Sequence, residues 1–124
     1  MLLTLSLLAA LHAPVAADSV SGAWRVKGEV AGNPLNTLCT LVVTRAAISG
    51  NCADEQGPPK AITGEVKEGK ITFQHGGDYQ GQELTVIYSG TLEANALKGT
   101  INVKPFDAGG EFSATREPQP AAKK

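Results

Sequence analysis

Apolar and polar positions alternate through most of the chain from residue 22 to residue 116, and one local pattern recurs within that alternation. It reads apolar, small or polar, Gly, polar, apolar: Ile48-Ser49-Gly50-Asn51-Cys52, Ile62-Thr63-Gly64-Glu65-Val66, Tyr88-Ser89-Gly90-Thr91-Leu92 and Leu97-Lys98-Gly99-Thr100-Ile101. A period of two belongs to strands that bury one face, and the glycine always falls on the apolar parity. Following that parity predicts eight strands with one inner face. It comprises Trp24, Val26, Gly28 and Val30; Cys39, Leu41 and Val43; Ile48, Gly50 and Cys52; Ile62, Gly64 and Val66; Ile71, Phe73 and His75; Leu84, Val86, Tyr88, Gly90 and Leu92; Leu97, Gly99, Ile101 and Val103; Phe112 and Ala114.

Two-residue turns at Arg45-Ala46, Glu68-Gly69 and Ala94-Asn95 predict three hairpins, in which Val43 meets Ile48, Val66 meets Ile71 and Leu92 meets Leu97. A slip of one residue would turn a whole strand inside out, so three inner-to-inner agreements support the register together. The remaining connections, around 33–37, 54–60, 76–82 and 104–109, are expected to be longer and to gather at the opposite end. The expectation is an all-β chain: a small eight-stranded antiparallel up-and-down β-barrel with a closed base and an elaborated mouth.

Composition narrows the function. The chain has 124 residues, enough for one domain, a net charge of −1 and few aromatics. That balance suggests no nucleic acid and no membrane surface as partner. Residues 2–11 are apolar but too short to span a bilayer, Pro14 follows, and Val15-Ala16-Ala17 places small residues where a signal peptidase cuts. The expected organisation is a signal peptide over 1–17, a barrel domain over 18–116 and a disordered C-terminal tail over 117–124. The protein is then periplasmic or secreted, with no membrane span.

Export changes the meaning of the two cysteines. Cys39 and Cys52 flank the Arg45-Ala46 turn at equal distances, which sets them opposite each other and suits a disulfide in an oxidising compartment.

Gly50 facing Leu41 and Gly90 facing Gly99 would leave local room inside, which Trp24, Phe73, Tyr88 and Phe112 either fill or line as a cavity, because eight strands lie at the boundary between a packed interior and one that holds a small ligand. His75 and Asp78 could be drawn as a general base and its orienting acid. Beyond Ala17, however, the chain carries one His, no nucleophile motif and no phosphate-cradling loop. The reading is therefore no enzyme, with no catalytic residues, no cofactor and no metal.

Candidate ligand contacts are His75 as a polar handle at the mouth, Tyr79 within the Gly-Gly-Asp-Tyr-Gln-Gly run, Tyr88 inside, and Phe106 in the last mouth loop. The expected function is a monomeric exported barrel binding a small apolar or amphipathic molecule at its long-loop end. The alternative is a structural or protein-interaction domain that meets a protein through the mouth loops.

Ser21-Gly22-Ala23-Trp24 after a signal peptide, the repeated Gly patterns and the closing Phe112-Ser113-Ala114-Thr115-Arg116 resemble the small secreted bacterial barrels of the calycin-like, lipocalin-like group. That resemblance implies a Trp packed across the barrel base beneath a basic residue of the last strand, here Trp24 and Arg116, both as scaffold. Avidins share the architecture, but their biotin site uses several tryptophans and a polar cluster that this chain lacks. The chain is also similar, more weakly, to periplasmic inhibitors of serralysin-type metalloproteases, with an early Ser-Gly-x-Trp and one disulfide. By that resemblance Asp18-Ser19-Val20 would form the arm that enters the protease cleft, and the arm is short.

Overall fold

In the computed structural model, which describes residues 20–54 and 57–117, the alternating segments form nine strands. They are β1 (Gly22–Val30), β2 (Asn33–Thr44), β3 (Ala47–Ala53), β4 (Lys60–Ala61), β5 (Thr63–Lys67), β6 (Lys70–Tyr79), β7 (Gln82–Glu93), β8 (Ala96–Lys104) and β9 (Ala108–Arg116). A single residue, Ile62, separates β4 from β5. Its amide donates to the Gly50 carbonyl at 3.0 Å, so the two short segments serve as one barrel strand along β3. With β4 and β5 taken as one strand, each strand pairs antiparallel with its neighbours in sequence, and β1 pairs with β9, which closes an eight-stranded barrel and leaves no free sheet edge along most of its height among the described residues.

The hairpin registers are those the parity dictates: Val43 faces Ile48, Val66 faces Ile71 and Leu92 faces Leu97. Cys39 and Cys52 sit opposite each other and are disulfide-bonded, compatible with an extracellular or periplasmic protein. Among the described residues sixteen apolar ones are buried, and Trp24, Val26, Cys39, Tyr88 and Ala114 are wholly inaccessible. The inner parity of β2 extends further than the sequence reading carried it, to a half-buried Leu35 and a buried Thr37.

Outward positions are mostly polar or charged, as with Arg25, Lys27 and Glu29 on β1 or Lys98, Thr100 and Asn102 on β8. This is the reverse of the lipid-facing band of a membrane barrel. No helix among the described residues is long and apolar enough to cross a membrane. The expectations for residues 1–19 and for the tail beyond Glu117 lie outside the described residues; Glu117 itself, assigned above to the tail, is held to the barrel by its amide, which donates to the Ala23 carbonyl at 2.9 Å, and by an ion pair with Arg25.

Two expectations are corrected here. The connections around 33–37 and 76–82 are not long loops. Asn33 already begins β2 and Tyr79 still belongs to β6, and the turns are the two-residue pairs Ala31-Gly32 and Gln80-Gly81. Both central residues have positive φ, 50° and 83° in the first turn, 51° and 81° in the second, the geometry that matches strand twist in tight hairpins. Glu68-Gly69 adopts the same form. The residue-Gly pair was thus the available signal at all three turns. The mouth is consequently made of two hairpins, β1–β2 and β6–β7, together with the three-residue connection 105–107 between β8 and β9; of the connection expected around 54–60, residues 55 and 56 lie outside the described residues.

The second correction concerns the inner glycines, which do not leave open room. A methyl on Gly99 would stand 1.9 Å from the Ser89 carbonyl oxygen and 2.5 Å from the Gly90 Cα across the pair, so the strands touch there. What space remains over Gly90 is occupied by the Phe112 ring, whose Cζ would lie 3.2 Å from a methyl at that position. Small residues allow close strand contact where the sheet coils tightly, and the adjacent aromatic fills the inside.

Candidate functional site

The barrel is packed through its middle and concave at its mouth. In the middle, Phe73 on β6 and Tyr88 on β7 face each other in register and stack with ring centroids 4.7 Å apart and planes 14° apart. Phe112 meets Tyr88 edge-on at 5.5 Å. Those offset and T-shaped geometries suit the aromatic quadrupole and rigidify the core.

His75 lies one inward position above Phe73, half-buried, 5.5 Å from the Tyr88 ring. Its Nδ1 is 2.7 Å from the Gly76 carbonyl oxygen, which can only accept, so Nδ1 carries a proton. In the neutral imidazole Nε2 then accepts from the Tyr88 hydroxyl at 3.1 Å. Burial, with a smaller contribution from the Asp54 carboxylate, raises the Tyr88 phenol well above its ordinary range, which keeps it a neutral donor. Tyr88 is wholly inaccessible and His75 caps it, so this pair forms the ceiling of the packed middle rather than a free surface.

At the base, Trp24 Nε1–H donates to the Val20 carbonyl at 2.8 Å, and the Arg116 guanidinium stands 4.4 Å from the Trp24 ring centroid while donating to the Ser21 carbonyl at 3.0 Å. The Val43 amide donates to Ser21 Oγ at 3.0 Å. Val20 is completely buried. The chain is therefore anchored from Val20 onward, so Val20, the last residue of the expected Asp18-Ser19-Val20 arm, belongs to the packed base, and Asp18 and Ser19 lie outside the described residues.

The mouth concavity has a volume of about 420 Å³. The β1–β2 hairpin supplies Val30, Ala31, Asn33, Pro34 and Leu35; β6–β7 supplies Tyr79, Leu84 and Val86; β8–β9 supplies Val103, Phe106 and Ala108. Inner parity explains Val30, Leu35, Leu84, Val86 and Val103, which continue the core upward until the walls part. Tyr79 and Phe106, from a hairpin tip and a connection, stand at the rim 58% and 56% exposed. Among the described residues that line this space none is charged; Asn33 and the Tyr79 hydroxyl are its polar side-chain groups. Other depressions, over Gly28, Gly64 and Gly99, lie between strands on the outer surface and are lined largely by polar side chains.

Of the sequence-selected contacts, the structure brings Tyr79 and Phe106 together at one rim and sets His75 and Tyr88 below and apart from it, bonded to each other. Val30, Pro34, Leu35, Leu84, Val86, Val103 and Ala108 were not selected, although Val30, Leu84, Val86 and Val103 belong to the inner face read from the sequence. Among the described residues no three His, Cys, Asp or Glu side chains converge as a metal site.

Fold and site together define a closed eight-stranded antiparallel up-and-down barrel with a packed waist and an apolar mouth, consistent with a calycin-like fold. Comparison with protein-family models, with curated proteins and with solved structures returns no significant match.

Proposed function

We propose that this protein is a non-enzymatic binding barrel, acting outside the cytoplasm, that holds a small apolar or amphipathic molecule in its mouth. The observation that supports the reading best is the concavity bounded by Val86, Val103 and Leu84 below and by the exposed Tyr79 and Phe106 above. Its volume, about 420 Å³, falls in the range of small-ligand sites, and its lining is apolar with a few polar groups at the edge. An open apolar mouth with two unburied aromatics is unfavourable in water and gains from being covered by a ligand. The packed waist limits the ligand to the upper third of the barrel.

Native mass spectrometry on protein purified without denaturation tests this directly. A discrete additional mass that is lost on denaturation, and lost also from an Ala108→Trp variant in which an indole occupies the mouth, is the expected result. A bare polypeptide in both, together with no binding of alkyl probes to the wild type, refutes the proposal.

A further inference from the structure

Charge around the mouth is one-sided. The residues that line the concavity are uncharged, but the charged residues adjacent in sequence to them are Glu29, Asp78, Glu83 and Asp107 against Lys104 alone. The Lys104 ammonium is ion-paired with Asp107. Asp78 faces Glu83 directly across the β6–β7 hairpin, and Glu29 faces Glu111 across β1–β9, so like charges stand opposite one another on two walls of the rim. Such pairs are unfavourable in a sheet unless a positive charge offsets them. A carboxylate or phosphate head group would find no Lys or Arg in the lining to receive it. A cation would meet the summed negative field and the faces of Tyr79 and Phe106, both exposed at the rim.

We infer that the mouth selects a cationic amphipath, an alkylammonium-type molecule whose chain fills the apolar concavity among Val30, Leu35 and Leu84 and whose charged head lies at the rim between Tyr79 and Phe106. The inference rests on the proposed ligand-binding reading and adds the chemistry of the ligand to it. The chain supplies non-selective apolar affinity, and the rim supplies the discrimination. At about one Debye length in 0.1 M salt, each net carboxylate favours a monovalent cation over a neutral head by a factor of about 1.3. Three net charges then give about twofold, and about fivefold for a cation over an anion of the same chain length.

The test compares decyltrimethylammonium, decanol and decanoate, each below its aggregation concentration, by calorimetric titration of the disulfide-intact protein in 10, 100 and 500 mM salt. Decyltrimethylammonium is expected to bind about fivefold more tightly than decanoate at 100 mM salt, with the ratio growing at 10 mM and shrinking at 500 mM. The double variant Asp78→Asn, Glu83→Gln, whose changes lie on outward positions of β6 and β7, should reduce that ratio to about twofold or less while leaving decanol affinity unchanged. Equal affinities for the three probes, a preference for decanoate, or a ratio unmoved by the double variant overturns the head-group inference and leaves an unselective apolar site. If none of the three binds, the ligand-binding reading itself fails, and this inference with it.

Discussion

Replacing Gly99 by Ala asks the sharpest question about how this barrel is built. Gly99 has no positive φ, so alanine is acceptable to its own backbone. The obstacle is the neighbouring strand. The new methyl would lie 1.9 Å from the Ser89 carbonyl oxygen and 2.7 Å from its carbon, against real contacts beyond 3.0 Å. Both atoms are backbone and cannot rotate away, so β7 and β8 must part locally by about 1 Å.

Two ladder hydrogen bonds weakened at about 0.5–1.5 kcal/mol each, with the accompanying shift of Phe112 against Tyr88, give an expected loss of about 2–4 kcal/mol. That is a large share of the roughly 5–15 kcal/mol a domain has. Urea unfolding of the oxidised protein, followed by Trp24 fluorescence, should show a midpoint lowered by about 1–3 M at unchanged slope. Gly57→Ala is the control. A methyl there has nothing within 4 Å, so the variant should be neutral or gain up to about 1 kcal/mol through the unfolded chain. A Gly99→Ala protein within 1 kcal/mol of wild type would refute the claim that these strands are in contact.

Further tests follow from the same coordinates. Because burial raises the Tyr88 phenol and the neutral form is the native one, stability should be level below about pH 10. Above that it should fall as pH climbs toward the raised folded value, by up to about 1.4 kcal/mol per pH unit. Ultraviolet titration should accordingly show one of the two tyrosines ionising only with unfolding; ionisation of both in the folded protein near pH 10 contradicts the buried donor. Tyr88→Phe should cost about 1 kcal/mol and move the His75 ring resonances in NMR at fixed pH, since Nε2 loses its partner. The Cys39→Ala, Cys52→Ala double variant removes a cross-link spanning 13 positions and should lose up to roughly 3 kcal/mol in thermal or urea melts. Arg116→Leu should lower stability by about 1 kcal/mol and shift Trp24 emission, because both the cation over the indole and the bond to Ser21 disappear. An unchanged emission spectrum would show the guanidinium to be solvated instead.

Much of the fold was legible in the alternation itself. Period two assigns a face to every side chain, so once Val43, Val66 and Leu92 were placed inside, the turns at 45–46, 68–69 and 94–95 allowed one register each, and Cys39 had to meet Cys52. The tight turns at Ala31-Gly32 and Gln80-Gly81 carried the same residue-Gly signal as Glu68-Gly69. They escaped because the polar and Gly-rich stretches beside them resembled loops, whereas pairing across the hairpin holds Asn33 to Thr37 and Gly76 to Tyr79 in strands.

The site was less legible. Tyr79 and Phe106 stand out as aromatics in polar surroundings, and both reach the mouth. Tyr88 shares the parity of Val86 and Leu84 and differs from them only in height along the barrel. Height relative to the packed waist depends on how strands from distant parts of the chain stagger when β9 closes on β1, a quantity no local pattern contains. Inside or outside, register and disulfide pairing were determined by the sequence, because they are local and periodic. Tertiary structure decided closure, the contact of Gly99 with Ser89, and where the packed core gives way to an open mouth, because these follow from three-dimensional stagger and from side chains brought together from all walls at once.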